Sequence, residues 1–211
     1  IGNASTSEGL FFETFNAAGV LQVPMVISIW DDDYGISVHS KYQTTKENIS
    51  EILKGFQRSD DQNGFEIIRV KGWDYSGLIE AYEKAERIAR EEHVPVMIHV
   101  REMTQPQGHS TSGSHERYKN EARLSWEKDF DCIRKMREWI IQHDLFTEEE
   151  LDDIEKEAKQ AARTAKANAW KEFLAPIKEE VNEVASLLED LAEASSRPDR
   201  LKELASAMRS S

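Results

Sequence analysis

Two groups of residues near the start of the chain carry the side chains needed to bind a phosphate and a metal ion. The first group, residues 2–9, is small and polar and includes Gly2, Asn3 and Ser5. Small side chains let the backbone approach an anion, and N–H groups at the opening of a helix attract negative charge. The second group is the acidic run 31–33, whose carboxylates are the hard oxygen ligands that Mg²⁺ prefers. Together the two groups predict a site for a phosphorylated ligand held with a divalent metal.

A helix and a strand separate the two groups and should bring them to one edge of a sheet. Residues 9–22 carry apolar side chains at helical spacing, and residues 25–30 form a continuous apolar run of strand length. Such a run is typical of a parallel strand covered on both faces, and open α/β sheets bind ligands at the C-terminal ends of these strands. Without further evidence, however, a glycine-rich helix start is common, and an acidic run is more often a solvated turn.

Residues 2–37 resemble the thiamine-diphosphate motif of the alpha subunit of the decarboxylating (first) component of 2-oxoacid dehydrogenase complexes. The family motif reads Gly-Asp-Gly, then a helix with a Phe-Glu…Asn pattern, then a strand, then Asn-Asn-x-Tyr-Gly. The interval between the first and last parts matches the family without a gap. The corresponding residues of this chain are Gly2-Asn3-Ala4, Phe12-Glu13…Asn16 and Asp31-Asp32-Asp33-Tyr34-Gly35.

The resemblance implies a set of ligands for Mg²⁺ and for thiamine diphosphate. In the family, the metal is held by the acid of the first motif, the second Asn of the last motif and the carbonyl of its Tyr. Carried over, these ligands are Asn3, Asp32 and the Tyr34 carbonyl. Ile36 falls where the family has an apolar residue that backs the bent cofactor, although an ordinary core position is an equally good interpretation of Ile36. The cofactor-binding residues implied in this first stretch are Gly2, Asn3, Ala4, Ser5 and Ile36.

The departures from the family motif compensate each other. Asn3 stands where the family has Asp, and Asp31-Asp32 stands where it has an Asn pair, so one carboxylate and one amide exchange places. This exchange keeps the charge at the metal, whereas loss of the acid alone would leave the ion without an anionic protein ligand. Asp31 and Asp33 are further acids close to the expected phosphates, which bears on the affinity for the cofactor.

A small polar loop at residues 107–113 resembles the His-Gly-His-Ser loop of the same family. His109 occupies the place of the second His, which in the family reaches the diphosphate and the mouth of the active site. The resemblance therefore makes His109 both a cofactor-binding and a catalytic residue, whereas a single His in such a loop is otherwise most often a surface residue. Gln107 replaces the first His. Arg117 and Tyr118 resemble the pair that closes the loop in the family.

Alternating strands and helices predict an α/β fold with a parallel sheet. Apolar runs at 65–70 and 96–100 follow the first strand, and amphipathic stretches lie at 49–56 and 76–92. The resemblance identifies residues 1–118 as the C-terminal part of the thiamine-diphosphate/Mg-binding α/β domain. Because the chain opens directly in a motif, we expect the N-terminal part of this domain to be missing.

Residues 119–211 are predicted to form a long helical C-terminal extension for packing and subunit docking. One helix should carry the apolar residues from Trp126 to Ile140, and a second should begin at the N-cap Thr147. Pro176 should kink or break the second helix, because proline lacks the N–H that a helix interior needs.

Composition limits the classes of partner and the compartment. The 211 residues carry a net charge of −13, which nucleic acid would repel. No apolar run approaches the roughly 20 residues that span a bilayer. The one cysteine, Cys132, cannot form an internal disulfide, so a reducing cytoplasm is the expected location. We therefore expect neither a nucleic-acid partner nor a membrane partner.

The resemblance implies an enzyme that catalyses oxidative decarboxylation of a 2-oxo acid, dependent on thiamine diphosphate and Mg²⁺, with acyl transfer to a lipoyl domain. This chain would hold the diphosphate and the metal. The implied partners are a beta subunit or fused beta half, a second alpha–beta pair that completes a heterotetramer, and a lipoyl-bearing acyltransferase. The beta part supplies the Glu that activates the cofactor in the family, so this chain alone should be inactive.

Two other functions stay open at this point. One is a transketolase-like thiamine-diphosphate enzyme, and the other is a non-catalytic scaffold that has lost the cofactor, which the changes at Asn3 and Asp31 would allow. Within the favoured family, the sequence does not choose between a branched-chain 2-oxo acid and pyruvate, because much of the pocket wall comes from the partner.

Overall fold

A computed structural model describes residues 1–107 and 114–210 of the chain. The chain divides into two compact units, Ile1–Leu145 and Phe146–Ser211. Within the described ranges, none of the helices is both long enough and apolar enough to cross a membrane.

The first unit contains a small parallel sheet, as the sequence predicts. Its strands are β1 (Val26–Trp30), β4 (Glu66–Lys71) and β5 (Val96–Arg101), which lie in the order β1-β5-β4 with both pairs parallel. Between β1 and β4 in the chain, β2 (Tyr34–Gly35) and β3 (Val38–His39) form a short antiparallel hairpin. The parallel α/β arrangement expected from the apolar runs is therefore present.

The central strand β5 is buried between two apolar clusters, because its residues are apolar on both faces. One cluster packs helix α1 (Gly9–Leu21) against the sheet, and in it the rings of Phe15 and Phe65 stack with centroids 3.7 Å apart. The other packs α3 (Tyr75–Arg87) and the π-helical turn that follows it against the opposite face. Two residues of β5 are not apolar: Arg101, at the end of the strand, is exposed, and His99 is fully buried.

The remaining helices of the first unit are short. They include a five-residue 3₁₀ helix at Asn3–Ser7, α2 (Ile49–Ile52), α4 (Glu121–Asp129) and α5 (Cys132–Gln142). The prediction of one helix from Trp126 to Ile140 is wrong. A new helix starts at α5 because the Asp131 carboxylate caps it, accepting a hydrogen bond from the Arg134 N–H at 2.9 Å. The structure thus groups α4 and α5 with the sheet, whereas the sequence boundary was drawn between residues 118 and 119.

The second unit is a pair of helices, α6 (Glu148–Ala194) and α7 (Pro198–Ser210), which pack against each other. A capping box of Thr147 and Glu150 starts α6, so this predicted N-cap is confirmed. The predicted break at Pro176 does not occur, because α6 continues through it. Proline removes one backbone donor, and the flanking turns keep theirs.

Candidate functional site

The fold brings the first motif and the hairpin into contact. Gly2 pairs with Trp30 as an isolated parallel bridge, and the Trp30 N–H donates to the Ile1 carbonyl at 2.8 Å. The 3₁₀ helix therefore starts beside the C-terminal end of β1. A Cβ atom added at Gly35 would lie 3.0 Å from the Ala4 Cβ and would also collide with the Gln43 side chain. A larger residue at position 35 would require Gln43 and Ala4 to shift, so glycine favours this close approach of the hairpin to the first motif.

Side chains of the acidic run hold its own backbone in a turn. The Asp33 N–H donates to Asp31 Oδ1 at 2.9 Å, and the Tyr34 N–H donates to Asp32 Oδ1 at 3.2 Å. Asp33 has a positive φ of 67°, in the left-handed region that Asp tolerates better than most residues. The Asp31 backbone is fixed to β5 by its N–H, which donates to the Val100 carbonyl at 2.8 Å.

The Asp32 carboxylate is partly buried, and its charged form is therefore disfavoured unless a cation is bound. Burial raises its pKa above the ordinary value, and the neighbouring Asp31 adds to this effect, while the Tyr34 N–H and the Lys119 ammonium act against it. Loss of water around a carboxylate disfavours its charged form, and a bound divalent cation reverses that penalty. The environment of Asp32 therefore fits the metal-binding role that the motif implies.

The hairpin register leaves the Tyr34 carbonyl available to a ligand. Tyr34 is opposite His39, and the neighbouring Ser40 N–H donates to the Asp33 carbonyl at 2.8 Å. In an antiparallel ladder, bonded and non-bonded pairs alternate, so Tyr34 and His39 form a non-bonded pair whose N–H and C=O groups point away from the partner strand. The Tyr34 N–H on that side meets Asp32, so its carbonyl lies on the same side as the Asp32 carboxylate.

Asn3 is the third implied metal ligand. It is 6% exposed, and its backbone carbonyl accepts a hydrogen bond from Thr6 Oγ1 at 2.7 Å. Its side-chain amide makes no hydrogen bond within residues 1–107 and 114–210. In those same ranges, no cluster of three or more His, Cys, Asp or Glu side chains could hold a metal. The implied set of one carboxylate, one amide and one carbonyl, completed by phosphate oxygens, would offer Mg²⁺ the oxygen ligands that it prefers.

Both extra acids of the turn have a cationic or hydrogen-bonded partner. Asp31 is 6% exposed, and its Oδ2 lies 2.9 Å from His99 Nε2. Asp33 forms an ion pair with Arg123 at 2.5 Å, and the same guanidinium donates to the Asp32 carbonyl at 2.6 Å. Of the three carboxylates, Asp32 is therefore the one without a side-chain partner in contact within the described residues.

A buried charge cluster supports the Arg123 side chain. Lys119 Nζ lies 2.7 and 2.9 Å from the two Glu127 oxygens, and Arg123 Nε lies 2.8 Å from one of them. The Lys119 and Glu127 side chains are 1% and 4% exposed. Both cations also face the Tyr34 ring, at 5.2 and 5.5 Å from its centroid. This cluster links α4 to the hairpin and the acidic turn.

The sequence analysis did not identify this cluster or the buried His99. The spacing of Arg123 and Glu127 could have revealed part of the cluster, because residues four apart share a helix face. The signal for His99 was a polar residue inside the apolar run of β5. Neither signal names a partner, since Asp31 and His99 are 68 positions apart and Asp33 and Arg123 are 90 apart.

Ile36 is not a core residue, so that interpretation is wrong. It is 56% exposed and has a positive φ of 58°. A β-branched residue is seldom found in the left-handed region, and such strain is concentrated at functional sites. The hairpin also borders a cavity of about 650 Å³. Its lining residues include Tyr34, His39, Lys41, Tyr42, Tyr118 and Arg123.

The loop after β5 is described only in part. His109 lies outside the described residues, so its predicted contact with the cofactor stays a prediction. The Tyr118 ring lies 5.7 Å from the Tyr34 ring, so one member of the predicted loop-closing pair does face the hairpin. Arg117 is exposed, and the basic neighbour of the two tyrosines is Lys119.

Comparison with known proteins gives a consistent result. A family model described as dehydrogenase E1 component matches residues 1–177. The chain is similar to 2-oxoisovalerate dehydrogenase subunit alpha 1, mitochondrial, of Arabidopsis thaliana, with 28% identity over 186 residues, which cover 87% of this chain and 38% of the relative. It is similar to the pyruvate dehydrogenase E1 component subunit alpha of Rickettsia bellii, with 22% identity over 165 residues, covering 78% and 48%.

A third relative is the 2-oxoisovalerate dehydrogenase subunit alpha, mitochondrial, of Dictyostelium discoideum, with 28% identity over 180 residues, covering 84% of this chain and 39% of the relative. The chain thus spans less than half the length of these three relatives. The names of the relatives divide between 2-oxoisovalerate and pyruvate dehydrogenases.

Proposed function

The chain belongs to the dehydrogenase E1 component family, and on this premise we propose that it is the C-terminal part of an alpha subunit that binds thiamine diphosphate and Mg²⁺ for oxidative decarboxylation of a 2-oxo acid. The observation that carries the proposal is the contact between the first motif and the hairpin at Ala4 and Gly35. This contact supports the proposal because it would bring the Asn3 amide, the Asp32 carboxylate and the Tyr34 carbonyl close together at the C-terminal edge of a parallel sheet, where such folds bind ligands.

Each residue of the site has a distinct proposed task. Asn3, Asp32 and the Tyr34 carbonyl would hold Mg²⁺, and the small residues Gly2, Ala4 and Ser5 would let the diphosphate approach the backbone. Ile36 would offer its exposed apolar side chain to the cofactor. Thiamine diphosphate supplies the carbanion chemistry when bound, and the protein binds and orients it.

Arg123 would keep the turn ready for the metal. Its guanidinium neutralises Asp33 and holds the Asp32 carbonyl, and the Asp32 carboxylate itself has no side-chain partner among the described residues. A fixed turn would bind the metal without first having to be ordered, and preorganisation of this kind favours affinity. The activating Glu of the family would come from the beta part.

The test of the proposal is calorimetry on the complete alpha–beta assembly titrated with thiamine diphosphate and Mg²⁺. We expect stoichiometric binding that requires both components. Steady-state assays with pyruvate and with branched-chain 2-oxo acids would then identify the substrate, because the names of the relatives include both substrate types. An intact assembly that binds no cofactor would support the non-catalytic scaffold instead, and turnover of sugar phosphates would support a transketolase-like enzyme.

His109→Ala should impair turnover of the assembly with little effect on folding, because the proposed role of His109 is at the diphosphate and the mouth of the active site. Steady-state kinetics and thermal unfolding would be measured together. His93→Asn is a matched control, since His93 is exposed, has a left-handed backbone that Asn tolerates, and lies outside the site. Unchanged kinetics in His109→Ala would show that His109 is a surface residue without a role in turnover.

We also propose a beta subunit or fused beta half, a second alpha–beta pair and a lipoyl-bearing acyltransferase as partners, with the cytoplasm as the location.

An exposed apolar row on α6 supports the docking role of the extension. The row has the spacing of one helix face, and its members are 44 to 62% exposed. They are Trp170, Phe173, Ile177, Val184, Leu187 and Leu191.

Phe173→Asp with Leu187→Asp should weaken the alpha–beta assembly, because a charge in an apolar contact loses its water without gaining a partner. Sedimentation velocity of the purified components would show a shift toward free subunits. Asn182→Asp is the control, since it adds a charge to α6 outside the apolar row. An assembly unaffected by the double substitution would exclude this row from the interface.

A further inference from the structure

We propose that His99 is a positioning residue for the metal site: it fixes the Asp31 carboxylate and, through it, the turn that presents Asp32 and Tyr34. This inference rests on the proposed function of that turn. It adds to the implied ligand set a residue that would touch neither the metal nor the cofactor.

His99 lies at the centre of the sheet and is fully buried. In register it pairs with Ile29 of β1 and Arg69 of β4. Its Nε2 atom is 2.9 Å from Asp31 Oδ2, and its Nδ1 atom is 2.9 Å from Ser50 Oγ. Both ring nitrogens therefore have a partner, and the imidazole is held from two sides.

Hydrogen-bond contacts connect Arg69, Ser50, His99 and Asp31 in a row. An ionised carboxylate only accepts, so His99 Nε2 donates to Asp31. Ser50 Oγ accepts from Arg69 Nε at 2.8 Å, and its single proton is available to His99 Nδ1 or to Asn48 Oδ1, which is also 2.9 Å away. The row thus runs from the cationic Arg69 to the anionic Asp31 beneath the acidic turn.

The Asp31 carboxylate connects His99 to the backbone of the turn. While its Oδ2 is held by His99, its Oδ1 accepts from the Asp33 N–H at 2.9 Å. Its backbone is tied on both sides, since the Asp31 N–H donates to Val100 and the Met103 N–H donates to the Asp31 carbonyl at 3.0 Å. The Asp31 carboxylate is thus a rigid link between the sheet and the residues that would bind the metal.

A purely structural role would have a different signature. If His99 and Asp31 were only a buried pair, their loss would lower the unfolding temperature without a specific effect on metal affinity. A positioning role predicts a selective loss of affinity. Removing the direct partner of a metal ligand typically weakens metal binding about 10- to 100-fold, and His99 acts one residue further away, through Asp31, so we expect a loss at the lower end of this range. Restoring the hydrogen bond to Asp31 should then restore the affinity.

The experiment measures the Mg²⁺ dissociation constant by calorimetry on the complete alpha–beta assembly with saturating thiamine diphosphate, alongside thermal unfolding. His99→Leu removes the hydrogen bond and should raise the dissociation constant about tenfold or more. His99→Gln keeps an N–H donor toward Asp31 and should recover most of the affinity. Ser50→Ala frees one side of the imidazole and should give a smaller loss, which keeps the test valid if His99→Leu fails to fold.

Glu66→Gln is the matched control, because it disturbs a partly buried ion pair of the same sheet that does not reach the turn. A folded His99→Leu with unchanged Mg²⁺ affinity would overturn the inference. Equal weakening in His99→Leu, His99→Gln and Glu66→Gln would also overturn it, since general destabilisation would then explain the loss. If the unmodified assembly binds no Mg²⁺ with thiamine diphosphate, the proposed function itself fails.

Discussion

Asp32→Ala is expected to abolish binding of thiamine diphosphate with Mg²⁺ to the complete alpha–beta assembly. The neighbouring acids cannot replace Asp32, because Asp31 is held by His99 and Asp33 by Arg123. Without Asp32 the metal would keep only an amide and a carbonyl from the protein, and a divalent ion depends on anionic ligands. Calorimetry on the assembly would measure the loss.

The fold should survive removal of the Asp32 charge by the substitution Asp32→Asn, which keeps an oxygen to accept from the Tyr34 N–H. Burial raises the pKa of Asp32, so the folded chain binds that proton more tightly than the unfolded chain. The ionised carboxylate therefore opposes folding, and this penalty grows as the pH rises through the ordinary carboxyl pKa toward the raised one. At neutral pH, in the absence of metal, the Asp32→Asn variant should unfold at the same temperature as the unmodified chain or at a higher one.

A comparison with Asp33 separates local charge from metal ligation. Asp33→Asn removes a carboxylate one position away, which is paired with Arg123 and is not an implied ligand. We expect this variant to bind the cofactor more weakly but measurably. Complete loss of binding in Asp33→Asn together with normal binding in Asp32→Ala would show that Asp33, and not Asp32, is the anionic ligand.

Glu127→Leu should cost about 3 to 5 kcal/mol of the free energy of unfolding, because it leaves the Lys119 ammonium buried without its anionic partner. The Lys119 side chain is 1% exposed and lies 2.7 Å from the nearer Glu127 oxygen. Arg123 would also lose the contact that orients it toward Asp33. Urea denaturation of the chain would measure the change.

The double variant Lys119→Met with Glu127→Leu identifies the cause. Replacing both charges by apolar side chains removes the unpaired ammonium, so the double variant should be more stable than Glu127→Leu alone. Glu138→Gln serves as an exposed control, since its ion pairs with Arg134 and Lys135 lie at the surface, and we expect a change of about 0.5 kcal/mol or less there. A loss as small as this in Glu127→Leu would contradict the buried-pair account.

The sequence predicted the regular elements of the first unit because they depend on local patterns. Apolar runs of strand length gave β1, β4 and β5, and helical periodicity gave α1 and α3. The boundary between α4 and α5 was missed because apolar spacing continues across it while the Asp131 cap interrupts the helix. Pro176 was given too much weight, since one missing donor does not end a helix as long as α6.

By itself, the sequence determined which residues carry the chemistry of the candidate site: the small residues of the first motif, the exchange of carboxylate and amide between Asn3 and Asp32, and the glycine at position 35. Only the tertiary structure showed that, within the described residues, Asp31 and Asp33 have side-chain partners and Asp32 does not. The partners of Asp31 and Asp33 lie 68 and 90 positions away in the chain, on a neighbouring strand and on a helix of the same unit. Such pairings depend on sheet order and helix packing, which local patterns do not encode. Burial then makes an unpaired charge costly, so the carboxylates of the turn depend on these distant partners.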